Sequence, residues 1–195
     1  MSPQEQKEED QQPQWQRISA RARRRLADSI PPAWRLPADK LPPDDQLDVR
    51  SIPASCGILS EHELTITDSL AVDIVANIAS GTWTAYAVTL AFCKRAAIAQ
   101  QLVNCLTVTM FDSALARARE LDEYFVSSGG KVVGPLHGLP VSLKDNFNVV
   151  GVPSGVGFCA WAEEVVEEES TIVGVLRGLG AVVGFVKTNV PTAMM

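Results

Sequence analysis

The chain has 195 residues, 46% of them hydrophobic and 21% charged, with a formal net charge of -6 and an isoelectric point near 4.9. That length buries one substantial core, the apolar fraction argues against a disordered chain, and the acidic balance opposes the phosphate contacts of a dedicated nucleic-acid binder. Cysteines stand at 56, 93, 105 and 159 without a CxxC pair, so they read as reduced, buried, small apolar side chains rather than as a zinc or redox site. With no apolar N-terminal stretch to act as a secretion signal, the expected location is intracellular and cytoplasmic.

Residues 1–13 are polar and read as a flexible head. Trp15, Ile18, Ala22 and Leu26 then recur at helical spacing, with Arg17, Arg21, Arg24 and Arg25 largely off that stripe. These arginines read as the solvated face of an amphipathic helix, because the acidic residues before them weaken any attraction to phosphate. From Pro31 to Pro53 the chain is proline-rich and expected to be extended along something larger, so residues 14–59 read as one helix plus an arm.

Residues 60–195 read as the main domain. Ser60-Glu61-His62-Glu63 has the pattern of a capping box. Asp68 is expected to head a helix carrying Ala71, Ile74, Val75 and Ile78, and Thr84 a second helix reaching about Gln101. From Ile74 to Cys93 there is no charge over 20 residues, yet Ser80-Gly81-Thr82 divides the stretch into two helices rather than one membrane span. A strand is expected at 106–110, a helix capped by Asp112 from 113 to about 127, and a strand at 139–143. Ser170 is expected to cap a helix stopping at Gly180, followed by a nearly continuous apolar strand at 181–186. Helices alternating with short apolar strands define an α/β class in which helices cover a sheet. The strands are few for such a sheet, and the expectation is of an incomplete one.

The chemistry concentrates in residues 134–158, GPLHGLPVSLKDNFNVVGVPSGVGF, where glycines and prolines fix the backbone beside a histidine and a lysine. On an extended strand Val141, Leu143 and Asp145 face one way and Ser142, Lys144 and Asn146 the other. Ser142 and Lys144 raise the idea of a Ser–Lys pair, but i and i+2 side chains stand parallel and about 7 Å apart, which makes Ser142 a poor nucleophile for that lysine. Lys144 is a general base, a salt-bridge partner of Asp145, or a surface charge. As a base it must be neutral, and deprotonating an ordinary lysine of pKa about 10.4 at neutral pH costs roughly 5 kcal/mol, which burial must largely supply. His137 reads as a turn residue donating a structural hydrogen bond rather than as a base. The acidic run from Glu163 to Glu169 lacks the spacing of a calcium loop and reads as a solvated face.

GPLHGLPVSLKDNFNVVGVPS, followed some forty residues on by LGAVVGFVKTNVP, resembles the N-terminal part of the amidase-signature family, and PPAWRLP, GILSEHELTIT and AFCKRAAIAQQLVNCLT resemble its fungal acetamidase-like branch. The resemblance covers about residues 14–195. It implies the N-terminal part of the amidase-signature fold, a mixed β-sheet covered by α-helices. It also implies hydrolysis of carboxylic amides by a Ser–cis-Ser–Lys triad with no metal or cofactor. Lys144 stands in the position of the family's general base, and Met194 and Met195 follow KTNVP in a segment that approaches the substrate in relatives. The partner so implied is a small-molecule amide, with no nucleic acid and no transmembrane segment; homo-oligomerisation stays open. The family's Gly/Ser-rich signature, source of the bridging serine and the nucleophile, lies downstream of KTNVP, and no serine follows Ser170. The expectation is therefore an amidase fragment carrying the base alone and inactive by itself. The alternative is a non-catalytic interaction or regulatory module built on an amidase N-terminal half.

Overall fold

The computed structural model describes residues 12–43 and 45–189. Helix α1 (Gln14–Asp28) carries the predicted stripe, burying Leu26 at its C-terminal end while Trp15 stays exposed. The proline-rich arm is extended apart from single turns at Pro32–Trp34 and Ala38–Lys40 and the short helix α2 (Ile52–Ser55). What it lies along is helix α5 (Ala85–Val103). Gln101 on that helix accepts from the Leu36 N–H at 2.8 Å and donates to the Trp34 carbonyl at 2.9 Å. Leu36, Ile52, Cys56 and Leu59 then close over Ile98 as an apolar cluster.

Ser60 forms the predicted capping box: its Oγ accepts from the Glu63 N–H, and the Glu63 carboxylate accepts from the Ser60 N–H. This opens helix α3 (Glu61–Asp68). Asp68 is therefore the last residue of a helix and heads none; helix α4 (Ala71–Ala79) starts after Leu70. Thr84 does head α5, accepting from the Ala87 N–H, and the Asp122 carboxylate accepts from the N–H groups of Ala85 and Tyr86, so the free donors of that helix end are met. The absence of charge from Ile74 to Cys93 follows from where α5 sits. Ala85, Cys93 and Ala97 enter the main core cluster, Val88 and Ala91 pack with Ile66, Ile74 and Ile78, and Ile98 lies under the arm. Up to Cys93 the helix is buried on several faces, which leaves little room for charge; the first charges, Lys94 and Arg95, pair with Glu63 and Asp68. Among the described residues no helix is long and apolar enough to cross a membrane.

Strand β1 (Leu106–Thr109) leads into helix α6 (Phe111–Ser127). Met110 occupies the N-cap position of α6 without a side-chain cap, and Asp112 lies in the first turn, where a carboxylate favours the helix dipole instead of capping it. Strand β2 (Pro140–Lys144), a single helical turn at Cys159–Trp161, helix α7 (Thr171–Gly178) and strand β3 (Val182–Thr188) complete the described elements. Ser170 stands at the N-cap of α7 but its Oγ accepts from the Asn148 N–H instead, tying the helix start to the loop after β2.

The three strands form one mixed sheet in the order β1-β3-β2, with β3 antiparallel to β1 and parallel to β2. The last apolar strand is thus the central one, with a neighbour on each side; among the described residues the open edges belong to β1 and β2. The β2–β3 pairing steps from Val141↔Val183 to Leu143↔Lys187, so β3 contains extra residues around Gly184. Gly184 has φ +76, and a Cβ there would stand 3.2 Å from Met110 Cε and 3.3 Å from Leu143 Cδ1. Only glycine accommodates both the positive φ and the close approach. That bulge sets which side chain of β3 stands beside the end of β2.

Candidate functional site

The end of β2 has the predicted alternation. Leu143 and Asp145 are buried, Ser142 and Asn146 are exposed, and Lys144 between them is half-buried. Leu143 packs in an apolar cluster with Val149 and Val173. Lys144 is paired with Thr188 across the parallel ladder, and the Asp145 N–H donates to the Thr188 carbonyl at 3.1 Å. The backbone on both sides of Lys144 is therefore held by the central strand.

Asp145 is not the partner of Lys144. Its carboxylate faces Lys187, whose Nζ stands 3.2 Å from Asp145 Oδ1, with side chains only 0% and 3% exposed. Lys187 Nζ also donates to the Pro153 carbonyl at 2.8 Å and to Ser154 Oγ at 2.7 Å. Asp145 accepts from Thr107 Oγ1 at 3.0 Å and from the Val156 N–H at 2.7 Å, while Ser154 Oγ donates to the Asp145 carbonyl at 3.0 Å. Burial pushes the Lys187 ammonium below its ordinary range, and the Asp145 carboxylate opposes that push. A buried pair of this kind is sustained by its full set of hydrogen bonds, and removing one partner costs about 3–5 kcal/mol because the other charge is left uncompensated.

Among the described residues the most deeply buried lysine is thus Lys187, the K of FVKTN, which sequence reasoning missed. A signal was present: a charged residue set in a run of buried apolar ones needs a partner.

His137 is buried, and its Nδ1 accepts from the Val133 N–H at 3.1 Å. The expected turn role holds, with the His137 N–H donating to the Gly134 carbonyl at 3.1 Å, while the ring itself accepts at Nδ1; its proton is therefore on Nε2, where no partner stands. Burial lowers its pKa, with Asp122 opposing and Arg117 adding. Phe125 and Tyr124 lie against the ring, with centroids 6.1 and 6.5 Å away.

The arginines of α1 are not simply solvated. Arg21 forms two 2.7 Å hydrogen bonds to the Glu163 carboxylate, and Arg25 donates to the Ala162 carbonyl at 2.8 Å. Glu163 and Glu169, the latter bonded to Arg177, are accordingly drawn out of the solvated acidic face that the sequence implied. A cavity of about 230 Å³ lies between α1, β1 and the loop after β2, bordered by Arg25, Thr107, Asp145, Phe158 and Cys159; Lys144 is not in its wall. Met194 and Met195 lie outside the described residues.

Residues 87–195 match the amidase family. An acetamidase of Emericella nidulans is 48% identical over 181 residues, covering 93% of this chain and 32% of its own length. An acetamidase of Aspergillus oryzae is 44% identical over 181 residues, again 93% of this chain and 32% of the relative. Among solved structures, a fatty acid amide hydrolase superposes with a TM-score of 0.80 at 31% identity, over 90% of this chain and 31% of that one. The α/β framework of a small mixed sheet under helices is therefore part of the amidase-signature fold. The chain belongs to the amidase family, and it spans about a third of the length of the relatives it matches.

Proposed function

We propose that this chain supplies the general base of a carboxylic-amide hydrolase, and that the base is Lys144. The observation that carries the reading is its place: the last residue of β2, half-buried, with the backbone on either side tied to the central strand. The names of the relatives, acetamidase and fatty acid amide hydrolase, support amides as the substrate class.

In the reaction, neutral Lys144 takes a proton through a bridging serine while a second serine attacks the amide carbon, and backbone N–H groups stabilise the oxyanion. The proton passes to the departing amine or ammonia, and water then releases the acyl group from the serine. Both serines belong to the Gly/Ser-rich signature. Residues 1–195 by themselves hold the base without them, and a triad reduced to one member loses nearly all its advantage. We further propose, from the resemblance to the family alone, that Met194 and Met195 contact the substrate.

The test is ammonia release from acetamide and larger primary amides by the complete translated protein, beside residues 1–195 alone. The complete protein turns amides over, Lys144→Ala abolishes turnover by several orders of magnitude without unfolding the protein, and residues 1–195 alone are inactive. Retained turnover in Lys144→Ala would remove Lys144 from the mechanism. A complete protein without amide turnover would favour the non-catalytic module.

A further inference from the structure

We propose that Lys187 is a positioning residue for Lys144, acting through Asp145. This rests on the reading of Lys144 as the base. Lys144 lies between two anchors of different kinds. Leu143 is fixed by apolar packing with Val149 and Val173, whereas the Asp145 carboxylate is held by polar contacts from Lys187, Thr107 and the Val156 N–H.

The pleat puts Asp145 and Lys187 on the same face of the sheet and Lys144 on the other. The Lys187 ammonium can therefore fix the backbone at the end of β2 without entering the site. Four further features surround this ion pair. The Lys187 hydrogen bonds to the Pro153 carbonyl and Ser154 Oγ hold the loop that follows β2 against the strand end. Ser154 Oγ in turn donates to the Asp145 carbonyl, one residue from Lys144. Val156, held to Asp145 through its N–H, has φ 50, a left-handed conformation that β-branched residues rarely adopt and that persists only where the surroundings fix it. The bulge at Gly184 brings Lys187 opposite Leu143, and with it the ammonium within reach of the carboxylate. A base displaced by about 1 Å can lose about a hundredfold in rate, which is the scale on which such an anchor acts.

The experiment compares Lys187→Met, the charge-free double variant Lys187→Met/Asp145→Asn, and Ser154→Ala with wild type and Lys144→Ala in the complete protein. Active sites are counted from the acylation burst with an activated ester, so that any unfolded fraction is removed from kcat. In Lys187→Met and the double variant, kcat per active site should fall by about ten- to a hundredfold with KM changed less than about threefold. The acid limb of the kcat–pH profile should move, because the surroundings of Lys144 change. The double variant leaves no lone buried charge and so keeps the test open if Lys187→Met does not fold. Ser154→Ala retains the ion pair and should show the same effects in smaller measure.

Folded variants with kcat per active site within about twofold of wild type and an unmoved acid limb would overturn the inference. So would failure of both lysine variants to fold together with a Ser154→Ala protein unchanged in kcat and pH profile, since the cluster would then serve stability alone. A wild type without turnover, or an active Lys144→Ala, would instead overturn the assignment of Lys144 and this inference with it.

Discussion

Arg21 and Glu163, 142 residues apart in sequence, meet through two parallel 2.7 Å hydrogen bonds that fasten helix α1 to the loop beyond β2. Their side chains are 48% and 35% exposed, so the pair specifies where α1 lies more than it stabilises the fold. In a double-mutant cycle with Arg21→Ala and Glu163→Ala, the coupling should be below about 1 kcal/mol and should shrink with added salt. Limited proteolysis of Arg21→Ala should show faster cutting near Ala162, because the bidentate tie to Glu163 is lost while the Arg25 hydrogen bond to the Ala162 carbonyl stays. A coupling well above that bound would mean that water is excluded from the pair.

The buried ring of His137 predicts a loss of stability in mild acid. Its pKa is lowered from the ordinary value of 6.5, burial being the main cause. A folded-state value below the unfolded one means that the unfolded chain binds the proton more readily. Stability is then complete above about pH 6.5 and is lost as pH falls through the folded value. Protonation also takes away the Nδ1 lone pair that accepts from Val133. Urea midpoints at about pH 7.5 and about pH 5.5 should differ more for wild type than for His137→Asn, whose amide oxygen can replace the acceptor without titrating. Equal differences would show that other groups carry the acid sensitivity.

The cysteines should separate by reactivity. Cys93 is fully buried and its thiol is pushed up to about 12, by burial first and by Asp112 second, whereas Cys159 is exposed in the loop that borders the α1 cavity. The thiolate is the reactive form. With a disulfide reagent at neutral pH, Cys159 should react first, and Cys93 only on the timescale of unfolding. Cys105, half-buried and also raised by burial, should fall between them. Rapid labelling of Cys93 in the native protein would contradict the packing of α5.

Much of this architecture is legible in the sequence. The Ser60 capping box, the Thr84 cap and the stripe of α1 are local, since each depends on residues within a turn or two of one another. The alternation at 142–146 was legible for the same reason, because the pleat of a strand needs no partner to define its two faces. Asp68 was misplaced because an acidic residue before an apolar stripe looks alike whether it caps the next helix or ends the previous one. Asp112 was misplaced because a first-turn carboxylate and an N-cap carboxylate differ by a residue or two in sequence and only by hydrogen bonding in space.

By itself the sequence determined the family, the α/β class and the candidate base. Those follow from residue order in the segments 134–154 and 179–191, together with local periodicity. Only the tertiary structure decided which lysine pairs with Asp145, which strand is central and where the arginines of α1 go. The reason lies in the range of the forces. Helix caps and strand alternation act over a few residues, but Lys187 stands 42 positions from Asp145 and meets it only after β3 enters the sheet between β1 and β2 and bulges at Gly184.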